Sequence, residues 1–331
     1  MPPAAPPVIR LGTWPTPVEP APRLAEHLGL EAGDLVLKRD DLSGLGGGGN
    51  KVRKLERTVG RALAEGADVL VTTGAAQSNH ARATAAAARR AGLGCVLVLV
   101  GSEPARAAGN LVLDALLGAR VEWAGDVDAA GLDRAADAVV ERLRTEGERP
   151  SRVPYGGSDA LGVLGYVTAA EELRAQVPDA RHVVVAVGSG GTMAGLVAGL
   201  GVERVLGVDV GAVPDPLERV VRLVRGVASA TPAELPDGAA ERVRTLGPDD
   251  LRLPRDEVGD GYGVPTAAST AALEAAALTE GVLLDPVYTA KALAGLGSAV
   301  RRGAVRPGER TVFVHTGGLP GLFGHRTVTG V

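Results

Sequence analysis

The chain has 331 residues, 45% of them hydrophobic and 22% charged, which gives length for roughly two domains of ordinary size. Its formal net charge of −4 leaves no basic footprint for nucleic acid. A single cysteine, Cys95, cannot pair within the chain and fits a reducing, cytoplasmic setting.

The first residues, Met1-Pro2-Pro3-Ala4-Ala5-Pro6-Pro7, lack the basic start and apolar centre of a secretory signal and read as a flexible lead-in. Short Val-rich runs then alternate with Ala, Leu and Arg-rich amphipathic segments. Strands are predicted at residues 69–72, 95–100, 182–187, 204–208 and 311–315, with Cys95 buried in the second. Helices are predicted at residues 50–65, 81–91, 110–117, 129–145, 161–176 and 267–279. This alternation predicts an α/β fold of stacked βα units with a mostly parallel sheet. Residues 183–202 carry no charge and are long enough to span a bilayer, but Gly188-Ser189-Gly190-Gly191-Thr192 interrupts them, so strand, loop and helix is the reading. Residues 230–237 and 245–257, rich in Pro, Asp and Gly, are expected as surface connections. No composition shift marks a boundary at mid-chain, so a second domain inserted within the first is as good a reading as two in tandem.

Only four of the thirty-five cationic side chains are Lys: Lys38, Lys51, Lys54 and Lys291. Arg supplies charge but cannot form an imine, so a Lys kept within the Gly-rich stretch Gly46 to Glu56 points to covalent chemistry, with Lys51 the first candidate. Three predicted strands end in small-residue loops: Gly74 to His80, Gly188 to Thr192, and His315-Thr316-Gly317-Gly318. In open α/β sheets such loops face one crevice. The second has the physics of a phosphate cradle, with glycine N–H groups, the Ser189 and Thr192 hydroxyls and a following helix N-terminus. It lacks the dinucleotide and nucleoside-triphosphate fingerprints, which leaves a monophosphate as the economical ligand. A phosphate site beside a reactive Lys points to pyridoxal 5'-phosphate.

Lys38-Arg39-Asp40-Asp41, Gly48-Gly49-Asn50-Lys51, Gln77-Ser78-Asn79-His80, Gly261-Tyr262-Gly263, Asp285-Pro286-Val287-Tyr288-Thr289 and His315-Thr316-Gly317-Gly318 follow one another across essentially the whole chain. Together they resemble the D-cysteine desulfhydrase and 1-aminocyclopropane-1-carboxylate deaminase family. The resemblance implies fold type II of the pyridoxal-phosphate enzymes, like the tryptophan synthase β-subunit, with two open, twisted, mostly parallel sheet domains. It implies a larger cofactor domain of residues 1–53 and 165–331, a smaller inserted domain of residues 54–164, and a homodimer.

The same resemblance implies Lys51 as the Schiff-base lysine and general base, and Asn79 at the cofactor's ring oxygen. It places the phosphate on Gly188, Ser189, Gly190, Gly191 and Thr192, with Lys54 one helical turn beyond Lys51 reaching the same group. Thr289 and Thr316 are further cofactor contacts. Gln77, Ser78, Asn79 and His80 are expected to hold the substrate, and Ser78, Tyr262 and Tyr288 to join Lys51 in catalysis. Ser78 has a plainer explanation as a helix N-cap. Tyr155 is a candidate for the cleft wall, and Tyr166 is expected to pack on its helix. Thr289 stands where the deaminases carry Glu, which favours loss of a β-substituent over cleavage of a strained ring. The expected activity is therefore β-elimination on a small amino acid, D-cysteine by default. L-cysteate sulfo-lyase, ring-opening deamination and a non-catalytic homologue are the alternatives. No metal, nucleic acid or membrane is implied.

Overall fold

The computed structural model describes residues 7–325; the lead-in from Met1 to Pro6 lies outside the described residues. Nine strands form two sheets. The first holds β1 (Val18–Pro20), β2 (Leu35–Lys38), β7 (His182–Val187), β8 (Val205–Asp209) and β9 (Thr311–Val314) in the order β1-β2-β9-β7-β8. Only the β1 edge is antiparallel. The second holds β3 (Val69–Gly74), β4 (Gly94–Leu99), β5 (Arg120–Trp123) and β6 (Pro150–Arg152) in the order β5-β4-β3-β6, all parallel.

Both sheets are buried on both faces, which explains their continuous apolar runs. Along β7, Val183, Val185 and Val187 enter one core while Val184 and Ala186 enter another. Along β4, Cys95, Leu97 and Leu99 face one side and Val96 and Val98 the other. Burial pushes the Cys95 thiol up to about 12, so it is an inert core residue.

The helices are α1 (Pro22–Leu28), α2 (Lys51–Ala64), α3 (Asn79–Arg90), α4 (Asn110–Leu116), α5 (Ala129–Thr145), α6 (Ala160–Gln176), α7 (Gly191–Leu200), α8 (Pro216–Ala230), α9 (Ala239–Arg244), α10 (Ala267–Glu280), α11 (Thr289–Arg301) and α12 (Leu319–Phe323). The uncharged stretch 183–202 is the strand, loop and helix expected of it, and no helix among the described residues is long and apolar enough to cross a membrane.

Residues 245–257 depart from their expected surface character. Leu246, Leu251, Leu253 and Glu257 are buried, and Arg252 bridges in parallel to Leu206 of β8. Pro and Asp shape the turns there while alternate leucines still enter the core.

A buried ionic network fixes α2 against the first sheet. Arg53 donates to both oxygens of Asp40 at 2.8 and 2.9 Å and to both of Glu172 on α6 at 2.8 Å. Lys38 joins at Glu172, 2.9 Å away, and Tyr166 donates to Asp40. Tyr166 is therefore held by this network as well as by packing.

Candidate active site

The Gly-rich loop is built for one purpose, to turn sharply into α2. A Cβ on Gly48, whose φ is +70°, would lie 1.9 Å from the carbonyl oxygen of Asp41. The turn delivers Lys51 as the first residue of α2. Its Nζ reaches only the carbonyl oxygen of Gly156, at 3.4 Å, and burial lowers its pKa to about 8. At neutral pH a useful fraction of this amine is already free.

Lys51 opens onto a cleft whose wall includes Asn50, Ser78, Asn79, His80, Tyr155, Gly188, Ser189, Gly190, Thr192, Tyr262, Tyr288 and Thr316. All three strand-end loops therefore meet at one crevice. The loop after β7 runs from Gly188 to the start of α7, with Gly190 at φ +85°. Ser189 Oγ lies 2.8 Å from Ser158 Oγ, and Thr192 Oγ1 accepts from Asn50 Nδ2 at 2.9 Å. Beneath it, a Cβ on Gly191 would come within 2.8 Å of Lys54 Nζ and 2.4 Å of Ser158 Oγ.

Lys54 is fully buried, and its amine donates to Ser158 Oγ at 3.0 Å and the carbonyl of Gly156 at 3.4 Å. Desolvation, Lys51 and Arg219 hold its pKa well below the ordinary value, and Asp159 is the acid that opposes them. Asp159 is already engaged, capping α6 and pairing with Arg61 at 3.3 Å. Two desolvated amines beside a glycine loop at a helix N-terminus thus lack a counter-anion of their own. A phosphate ester in the loop fits that deficit, and an aldehyde at Lys51 fits the free amine.

That fit agrees with the chain's similarity to known proteins. The family model of pyridoxal-phosphate dependent enzymes matches residues 9–317. The chain belongs to the pyridoxal-phosphate dependent enzyme family. It is 42% identical to a D-cysteine desulfhydrase of Klebsiella pneumoniae strain 342 over 96% of each chain. It is 39% identical to a provisionally named 1-aminocyclopropane-1-carboxylate deaminase of Pyrococcus abyssi over 96% of this chain and 93% of that one. The crystal structure of an ACC deaminase homologue superposes with a TM-score of 0.86 at 36% identity, covering 98% and 96% of the two chains. Pyridoxal phosphate is accordingly the cofactor of this fold type II enzyme.

Within this family frame the remaining side chains sort clearly. Ser78 is the N-cap of α3, its Oγ accepting from Ala81 N at 3.1 Å, and it also lies on the cleft wall. His80 shares a hydrogen bond with Thr72 Oγ1 at 2.9 Å, and desolvation together with Lys51 and Lys54 holds it neutral. Tyr262 and Tyr288 sit edge to face with centroids 6.0 Å apart and their hydroxyls hydrogen-bonded to each other. Desolvation of the hydroxyls within the cleft raises both phenol pKa values, so both stay protonated.

Two expected contacts lie behind the residues that line the cleft. Gln77 does not line the cleft: its Nε2 donates to Ala108 O and its Oε1 accepts from Asn110 N, each at 2.9 Å, so its amide is spent bracing the start of α4. Thr289 is fully buried and off the cleft wall. Its Oγ1 donates to Asp285 Oδ1 and accepts from Asp285 N, both at 2.7 Å. Asn50 and Tyr155 line the cleft. Asn50 was not among the expected contacts, its only signal being its place next to Lys51.

Proposed function

We propose that this chain catalyses β-elimination on a small amino acid, D-cysteine first among them, giving pyruvate, hydrogen sulfide and ammonia with uptake of one water. The observation that carries the reading is the buried, readily deprotonated Lys51 amine facing a phosphate loop and a pair of protonated phenols in one cleft. Bound pyridoxal phosphate supplies an electron sink for the carbanion at the substrate's Cα.

The chain's own groups do the rest. The Lys51 amine takes the Cα proton, for which a pKa near 8 is well matched. Ser78 and the N–H groups opening α3 receive the substrate carboxylate, where the helix terminus favours negative charge. Asn79 meets the cofactor's ring oxygen, Gly188 to Thr192 with Lys54 hold the phosphate, and Thr316 is a further cofactor contact on the cleft wall. The Tyr262 and Tyr288 pair hands a proton to the departing thiolate. His80 positions the loop rather than binding charge.

The wall composition favours a thiol over the alternatives. A sulfonate is always anionic and needs a fixed cation, but His80 and His315 are both held toward the neutral form and Lys51 is the one charged residue among those lining the cleft. The lining holds no carboxylate that could keep a ring nitrogen protonated. Close relatives named D-cysteine desulfhydrase support the same choice.

The reading includes a cytoplasmic homodimer, and domains of residues 1–53 with 165–331 and of residues 54–164. Those limits fall inside α2 and α6, which pack on each other and form the seam. Pyruvate and sulfide release is to be measured with D-cysteine, L-cysteine, β-chloro-D-alanine, L-cysteate and 1-aminocyclopropane-1-carboxylate, alongside light scattering for the mass. Sulfide from D-cysteine is expected; 2-oxobutyrate from the cyclopropane alone would overturn the assignment.

A further inference from the structure

Asn110, the first residue of α4, is fully buried and lies outside every motif read from the sequence. Its amide orientation is fixed by partners that can play only one role. Nδ2 reaches the backbone carbonyl of Gln77 at 2.9 Å, which can only accept, and Oδ1 faces Arg82 Nε at 3.2 Å, which can only donate. The same Nδ2 also reaches the side chain of Asn79 at 3.0 Å. The atom it meets there must therefore be the acceptor Oδ1, which leaves the Nδ2 of Asn79, a residue of the cleft wall, as the end available to a ligand.

Arg82 extends the chain of contacts. Its Nη1 donates to the carbonyls of Gly46 at 2.6 Å and Gly48 at 2.8 Å, in the loop that delivers Lys51. Gln77 closes the set from the other side through its bonds to Ala108 and to Asn110 N. One amide thus ties the Lys51 loop, the loop after β3 and the start of α4 together.

We infer that Asn110 is a positioning residue, which locks the Asn79 amide with its N–H donors toward the cofactor oxygen and registers that donor against Lys51. The inference rests on the placement of Asn79 at the cofactor. Buried amides whose every hydrogen bond is assigned have no low-energy flipped state, so the donor is preset before any ligand arrives. An oxygen carrying negative charge on the cofactor meets a donor, where a flipped Asn79 would offer it a carbonyl and repulsion.

The test is a double-mutant cycle of Asn110→Asp and Asn79→Ala, read by the dissociation constant of pyridoxal phosphate and by the pKa of its visible absorption band. Asn110→Asp keeps shape but replaces the donor with an oxygen, so Asn79 must turn over. Each single variant is expected to weaken binding about tenfold or more and shift the band's pKa, and the double variant is expected to match Asn79→Ala alone. A second variant, Asn110→Ser, keeps a short donor at the site and is expected to retain part of the wild-type band pKa. Additive effects, or wild-type binding and spectrum in Asn110→Asp, would overturn the role of Asn110 while leaving the Asn79 contact intact. An Asn79→Ala protein with unchanged binding and spectrum would remove the cofactor contact itself, and the inference with it.

Discussion

Lys291 donates from its Nζ to the carbonyl oxygen of Gly261 at 3.1 Å, the residue immediately before Tyr262. A second bond reaches the carbonyl of Val258 at 2.8 Å. Tyr288 immediately precedes α11, which carries Lys291, so the helix that begins beside one phenol also clamps the loop bearing the other. Replacing Lys291 by Met strands two carbonyls that have lost their donor, at roughly 1–3 kcal/mol each. Lys291→Met is expected to unfold at lower urea concentration and to lose kcat, while its cofactor absorbance stays at the wild-type value.

Lys51 gives a pH signature. Its free amine is the reactive form, so the fraction available rises about tenfold per pH unit below its pKa and levels off above it. With that pKa near 8, the rate of pyridoxal phosphate capture by the apoprotein is expected to climb from pH 6 to pH 8 and then flatten. Stopped-flow absorbance measures it. Lys51→Ala is expected to show no visible band at any pH, and a band that survives there would move the attachment elsewhere.

Ser78 serves as a cap and stands on the cleft wall, and the two roles separate experimentally. Ser78→Ala removes the cap, worth about 0.5–2 kcal/mol of stability. Ser78→Asp keeps a capping oxygen and is expected to regain most of that stability. If the hydroxyl acts on substrate, both variants lose about 100-fold or more in kcat. Recovery of turnover in Ser78→Asp would reduce Ser78 to a cap.

Gly191 has no room for a side chain, with Ser158 Oγ 2.4 Å and Lys54 Nζ 2.8 Å from where a Cβ would sit. Overpacking of this kind costs roughly 1–3 kcal/mol. Gly191→Ala is expected to weaken pyridoxal phosphate binding by about one to two decades in equilibrium dialysis, because the atoms that must move are those facing the phosphate. Wild-type affinity would place the phosphate elsewhere.

The place of Lys51 on the cleft was legible from sequence because rarity and a Gly-rich setting are local signals, and that of the loop from Gly188 to Thr192 because consecutive small residues mark such a turn. Gln77 and Thr289 were harder to place, for the opposite reason. A polar residue beside a true site residue has the same local look whether its side chain enters the cleft or braces the next element, and only Asn110 and Asp285, 33 and 4 residues away, decide it. The long βα units were visible through periodicity. Strands β1 and β6, three residues each, carry too few positions to show alternation, and α11, buried on nearly all sides, shows no polar face.

Lys38, Lys54 and Lys291 are buried and Lys51 is partly so, which leaves no lysine of this chain fully exposed to solvent. Lysine-directed reagents therefore find an outer surface furnished with guanidinium groups that do not acylate. Peptide mapping after a trace of activated ester, or a short reductive methylation, would report from the modification of Lys51 whether that amine is free or occupied. Coupling through lysine calls for other handles, since the lysine most open to reaction is the one on which turnover depends.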